Sequence, residues 1–121
     1  MRYLGIDYGT KRVGLAISDE AGKIAFPFSI LDNRANLIEQ ITKICVEKKV
    51  AKIVLGESLN YQSKPNLIMA KILDFKKHLA EKLKLEIIFE PEWLTSALAT
   101  RSGGADDSAA ALILQTHLDR L

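Results

Sequence analysis

The tightest constraint on this chain is the order in which its apolar periodicity changes. Leu4 and Ile6 lead to Asp7, and Val13, Leu15 and Ile17 alternate toward Asp19. Ile24, Phe26, Phe28 and Ile30 then alternate again. Period two marks strands, and the short breaks at Gly9–Thr10 and at Glu20, Ala21 and Gly22 are turns. Three consecutive strands in one antiparallel meander are predicted, with Pro27 marking the third as an edge.

After Ile30 the period lengthens. Leu37, Ile41, Ile44 and Cys45 fall on one helical face that Asp32 or Asn33 can cap, and the helix should run to about Lys49. Ile53, Val54 and Leu55, closed by Gly56, read as a buried parallel strand. Glu57 to Pro65 reads as a polar loop, with Pro65 in the first turn of a second helix. That helix carries Ile68, Ile72, Phe75, Leu79 and Leu83 as its stripe. Leu85, Ile87, Ile88 and Phe89 form a fifth strand closed by Glu90 and Pro91. Thr95 to Thr100 reads as a short helix, and Arg101 to Ala105 as a turn. A last helix starts at Asp107 or Ser108 and carries Ala110, Ile113, Leu114, His117 and Leu121 near one face. The expectation is a single α/β domain over residues 1–121.

Composition narrows the class. The 121 residues are 48% hydrophobic, enough for an ordinary core. No apolar run reaches the roughly 20 residues of a membrane helix, and no signal-peptide pattern precedes the first strand. One cysteine, Cys45, cannot form an internal disulfide, so a reduced, cytoplasmic setting is expected. A Cys/His zinc cluster is absent. The net charge of +2 permits a nucleic-acid partner without arguing for one.

The chemistry centres on Asp7. A carboxylate ending a buried strand is costly unless something pairs with it. The Gly9–Thr10 corner sets backbone N–H groups and a hydroxyl beside it. Taken alone, this is more readily a β-hairpin in which the Asp caps its own turn. The element order adds neighbours: if strands one and four are parallel, their C-terminal ends share an edge of the sheet. Asp7 then stands near Glu57 after strand four, and near Glu90 and Glu92 after strand five. Asp107 stands at the start of the last helix, where a carboxylate suits the dipole but also serves as a plain cap. Clustered carboxylates repel unless cations separate them. Two Mg²⁺ ions about 4 Å apart would do so, and hard-oxygen ligands favour Mg²⁺ or Mn²⁺ over Zn²⁺.

The stretch from Asp7 to Asp19, Asp-Tyr-Gly-Thr-Lys-Arg-Val-Gly-Leu-Ala-Ile-Ser-Asp, closely resembles the opening of YqgF-type proteins. Glu92 with Leu94, Thr95 and Ser96 resembles that family's Asp-Glu-Arg-Leu-Thr-Ser motif. Asp107-Ser108-Ala109-Ala110-Ala111, continuing through Leu112 to Gln115, resembles its final Asp-Ser-Ala helix. The resemblance spans nearly the whole chain. It implies a ribonuclease H-like fold, a five-stranded mixed sheet of order 3-2-1-4-5 flanked by helices. It also implies a Holliday-junction-resolvase-like nuclease acting in processing of the 5′ end of pre-16S rRNA.

The resemblance assigns Asp7, Glu92 and Asp107 as catalytic acids and metal ligands. Glu57 ranks below them as a fourth, standing where the family has Gly-Leu-Pro-Leu-Asn and where related resolvases carry a glutamate. Thr10, Lys11, Arg12, Asn60 and Trp93 are candidate nucleic-acid contacts, with Trp93 able to stack on an unpaired base or simply to pack. Pro91 and Trp93 replace the family's Asp and Arg, and the segment from Thr100 to Asp107 is short, with Arg101 its one cation. The expectation is a two-metal endonuclease on structured RNA or branched DNA, monomeric or weakly dimeric. A non-catalytic RNA-binding ribosome-assembly protein is an alternative. A nucleotide-binding module is a further one, since Asp-x-Gly-Thr also opens sugar kinases and actin-like ATPases.

Overall fold

The computed structural model describes residues 1–59, 67–93 and 106–121, with the side chains of Leu59, Glu92, Trp93, Asp106, Asp107 and Ser108 outside that description. Its elements are β1 (Arg2–Tyr8), β2 (Arg12–Ser18), β3 (Ala25–Asp32), α1 (Leu37–Glu47), β4 (Val50–Leu59), α2 (Met69–Leu83), β5 (Glu86–Trp93) and α3 (Asp106–Asp119). The strands form one sheet in the order β3-β2-β1-β4-β5. β1 to β3 make the expected meander, with Leu4 opposite Ile17 and Tyr8 opposite Val13. β4 lies parallel to β1, Ile6 opposite Leu55, and β5 lies parallel to β4.

Alternation along the strands sorts the core into two layers. Leu4, Ile6, Val13, Leu15, Ile53 and Leu55 pack against Leu37 and Ile41 of α1 and Ile72, Phe75 and Leu79 of α2. Tyr3, Ala16 and Val54, on the other face, pack against Ala110, Ile113, Leu114 and Leu118 of α3. The central strands are covered on both faces, which is why they read as nearly continuous apolar runs. Buried Cys45 belongs to the first layer, and burial pushes its thiol up to about 11. Such a thiol is protonated and unreactive at neutral pH.

Several boundaries differ from expectation, each for a physical reason. β4 continues through Glu57 and Ser58 to Leu59, because β5 goes on pairing with it after β1 has ended. The polar loop expected from Glu57 therefore starts later, and residues 60–66, Pro65 included, lie outside the described residues. β5 runs past Glu90 and Pro91 to Trp93. An edge strand has one free side, so it tolerates a proline. Neither Asp32 nor Asn33 caps α1; its N-cap is Asn36, without a side-chain hydrogen bond. Leu121 is exposed because α3 ends at Asp119, and Leu118 fills the apolar face instead. The short helix expected over 95–100 and the turn over 101–105 lie outside the described residues.

Candidate active site

The corner after β1 is built by close backbone approach. A Cβ on Gly9 would stand 2.4 Å from the Arg12 carbonyl oxygen, so only glycine fits there. Asn33, at the end of β3, clips the corner from outside. Its Nδ2 donates to the Gly9 carbonyl at 2.8 Å and its backbone N–H to the Lys11 carbonyl at 2.9 Å. The residue expected to start a helix instead fixes the turn beside Asp7. Thr10, Lys11 and Arg12 are exposed on this corner, and Asp7 is half-buried. Arg34, ion-paired to Asp32 at 3.3 Å, adds a cation that the sequence reading did not single out. Asp32 lies opposite Arg12, so only the strand register reveals that neighbourhood.

Gly5, two residues before Asp7, sets the position of α3. A Cβ on Gly5 would meet the Leu114 Cβ at 2.7 Å and the Ala110 carbonyl at 3.1 Å, so the helix rests directly on β1. Tyr3 stacks at a tilt on His117, ring centroids 6.0 Å apart. Going up β1 from Tyr3 to Gly5 thus goes back along α3 from His117 toward Ala110. One helical turn before Ala110 is Asp107, and two residues beyond Gly5 is Asp7. Strand and helix run in opposite senses, so the backbone of Asp107 lies at the end of α3 nearest the Asp7 corner.

The glutamates divide. Glu92 stands at a register position opposite Ser58, near the end of β5. Gly56, one step beyond the Ile6–Leu55 pair, leaves β4 without a side chain at the level of Asp7. Glu57, opposite Pro91, is half-buried and shares its alternation with Ile53 and Leu55 on the α1–α2 side. Asp7 shares its alternation with Tyr3 on the α3 side. The register thus groups Asp7 with the strand positions facing α3 and sets Glu57 apart. Asn60 lies outside the described residues, and Trp93 is defined only as the register partner of Leu59.

Glu90 has other work. It is 3% exposed, paired with the Arg120 guanidinium just past the end of α3 and 3.4 Å from Nδ1 of His117 in its last turn. Burial, then the nearby Lys52, hold the His117 imidazole below its ordinary value, against the pull of Glu86. A carboxylate so engaged ties β5 to the C-terminal end of α3. Sequence spacing alone could not separate it from Glu92.

Among the described residues, no three His, Cys, Asp or Glu side chains stand close enough to hold a metal ion. The acids at the strand ends and helix start are all hard-oxygen donors, a set that fits Mg²⁺ or Mn²⁺.

The same fold is found in the resolvase RuvC. T. thermophilus RuvC in complex with Holliday junction substrate superimposes with a TM-score of 0.64 at 12% identity, over 99% of this chain and 95% of that one. This makes the architecture a RuvC-like, ribonuclease H-like one. By sequence, residues 1–120 match the family model described as RuvX, Holliday junction resolvase, and the chain belongs to that family. It is 33% identical to a protein of Sulfurihydrogenibium sp. named "Putative pre-16S rRNA nuclease", over 99% of this chain and 91% of the relative. It is 34% identical to one of the same name from Agathobacter rectalis, covering 100% and 96%. The family is one of nucleases, so the chain is a hydrolase.

Proposed function

We propose that this protein is a metal-dependent endonuclease that hydrolyses phosphodiester bonds in structured RNA, and that its task is processing the 5′ end of pre-16S rRNA in the cytoplasm. The observation that carries this reading is the opposed run of β1 and α3. It brings the backbone of Asp107 toward the corner that bears Asp7, in a chain whose relatives are named for that processing. Asp7, Asp107 and Glu92 would hold Mg²⁺ or Mn²⁺; Glu57, whose alternation turns it to the α1–α2 side, falls out of the set. Bound there, the metal supplies water activation and charge neutralisation at the leaving oxygen.

The chain's own residues do the rest. Thr10, Lys11 and Arg12 meet the phosphates flanking the scissile bond from the exposed corner. The Gly9 turn and its Asn33 clip hold those groups at a fixed distance from Asp7. Buried apolar layers on both sides of β1 keep the Asp7 backbone from shifting as substrate binds.

The test is cleavage of a short RNA spanning the 5′ boundary of 16S rRNA, with Mg²⁺ or Mn²⁺. Asp7→Asn should lower the rate by at least about 100-fold, the scale on which metal sites respond to loss of a supporting group. A variant as active as wild type overturns the assignment. The family description favours a second reading, a resolvase of branched DNA. Cleavage of a four-way junction in preference to the RNA would select it.

A further inference from the structure

The strongest feature outside the active edge is the apolar surface of β3. Ile24, just before the strand, and Phe26, Phe28 and Ile30 within it alternate like core residues but are 52%, 49%, 37% and 44% exposed. β3 is an edge strand; Leu31 touches the α1–α2 layer and Ala25 the α3 layer, while Phe26 and Phe28 between them stay exposed. Its register with β2 shifts between Leu15 and Ala16, where one extra residue enters β3 around Phe28. The shift divides the stripe. Phe26, opposite Ile17, and Phe28, beneath the Lys48 ammonium at 5.7 Å, stand on the α1 side. Ile30, opposite Gly14, stands on the other.

Two aromatic rings two residues apart on an extended strand present faces about 7 Å apart. Cations frame them. Lys48 and Lys49 close α1, and Arg2 donates to the Lys48 carbonyl at 3.1 Å, which draws its guanidinium to the same corner. Glu20, 3.6 Å from Arg2, offsets one of these charges. Lys48 sits at the outer limit of a cation–π contact and is exposed, so a phosphate can draw it off the ring.

Three occupants compete for such a surface. Strand addition by any chain needs a regular edge, and Pro27 with the register shift spoils this one. A second copy docked by a two-fold axis would gather two sets of Lys48 and Lys49 into one interface, where like charges repel. Aromatic faces beside lysines match a single-stranded nucleic acid, whose bases stack while its phosphates meet the cations.

We propose that Phe26 and Phe28, with Lys48 and Lys49, form a stacking platform for an unpaired stretch of RNA, separate from the cleavage edge. It rests on the RNA-processing reading above and extends it. A substrate would be held at two places, by its scissile phosphate near Asp7 and by a single-stranded flank on β3. The platform adds affinity for long substrates and takes no part in bond breaking.

The experiment uses the full chain carrying Asp7→Asn, so that binding is measured without cleavage. Fluorescence anisotropy with a labelled oligouridine gives the Kd, and circular dichroism confirms each variant's fold. Phe26→Ala with Phe28→Ala should weaken binding at least 10-fold, within the range for lost base stacking. Phe26→Leu with Phe28→Leu should weaken it as much, since leucine keeps the apolar surface without the ring. In the cleaving protein, the same double variants should raise KM for a long RNA and leave kcat unchanged. Wild-type affinity in the alanine or the leucine variant overturns the platform, as does a dimer that the alanine variant converts to monomer. Loss of cleavage in Asp7→Asn alongside unaffected binding in the phenylalanine variants would sink the platform and leave the nuclease standing.

Discussion

At the scale of single residues, two glycines decide where the acids stand, and only one of them is readable from sequence. Gly9 sits in a visible break between apolar runs, so its corner was legible. Gly5 lies inside an apolar run and gives no signal, yet α3 rests on it through Leu114 and Ala110. Gly5→Ala inserts a methyl 2.7 Å from the Leu114 Cβ. It should destabilise the protein by about 1–3 kcal/mol, the usual cost of overpacking. Urea unfolding checks that. Cleavage measured well below the unfolding midpoint should also fall, because α3 cannot lift off β1 without moving Asp107 away from Asp7. Full activity in a destabilised Gly5→Ala would show that the helix does not set the site. Asn33 was equally hidden: its value comes from reaching Gly9 across 24 residues, a contact that no local pattern encodes.

At the scale of elements, periodicity gave the type and order of the five strands and of the three helices among the described residues, and the family resemblance gave the sheet order. What periodicity could not give is what covers an element. β3 alternates as cleanly as β2, yet while Ala25 and Leu31 reach the core layers, Phe26, Phe28 and Ile30 stay exposed. β4 outlasts its apolar run because a neighbouring strand keeps its hydrogen bonds satisfied. α3 is held along its length by apolar contact from Ala110 to Leu118, and at its C-terminal end also by Glu90, His117 and Arg120. That second attachment carries a pH signature. The His117 imidazole is held below its ordinary 6.5 in the folded chain, by burial first and by Lys52 second, against Glu86. Above pH 6.5 both states are neutral there and the stability is fully present. As pH falls, the unfolded chain takes up the proton first, so that stability is lost as pH passes through the lower folded value. Urea midpoints measured from about pH 8 down to about pH 5 should therefore drop more for wild type than for His117→Gln. Parallel curves for the two proteins would remove His117 from the account.

At the scale of the whole molecule, the two edges of the sheet bear on which substrate the protein can take. β3 and β5 are the only strands of the described sheet with a free side, and each contains a proline, Pro27 and Pro91. A proline lacks the N–H that strand addition needs, so neither edge favours extending the sheet into a second copy. Resolving a four-way junction calls for two symmetric cuts and hence two active sites held together. Trimming one RNA strand calls for one. The molecule should accordingly sediment as a 13.4 kDa species at the concentrations used for cleavage, and should cut an RNA leader at a single position. A stable dimer that places paired nicks across opposite arms of a junction would reverse this choice. The partner surface would then have to be sought on a helical face, since both sheet edges are closed to it.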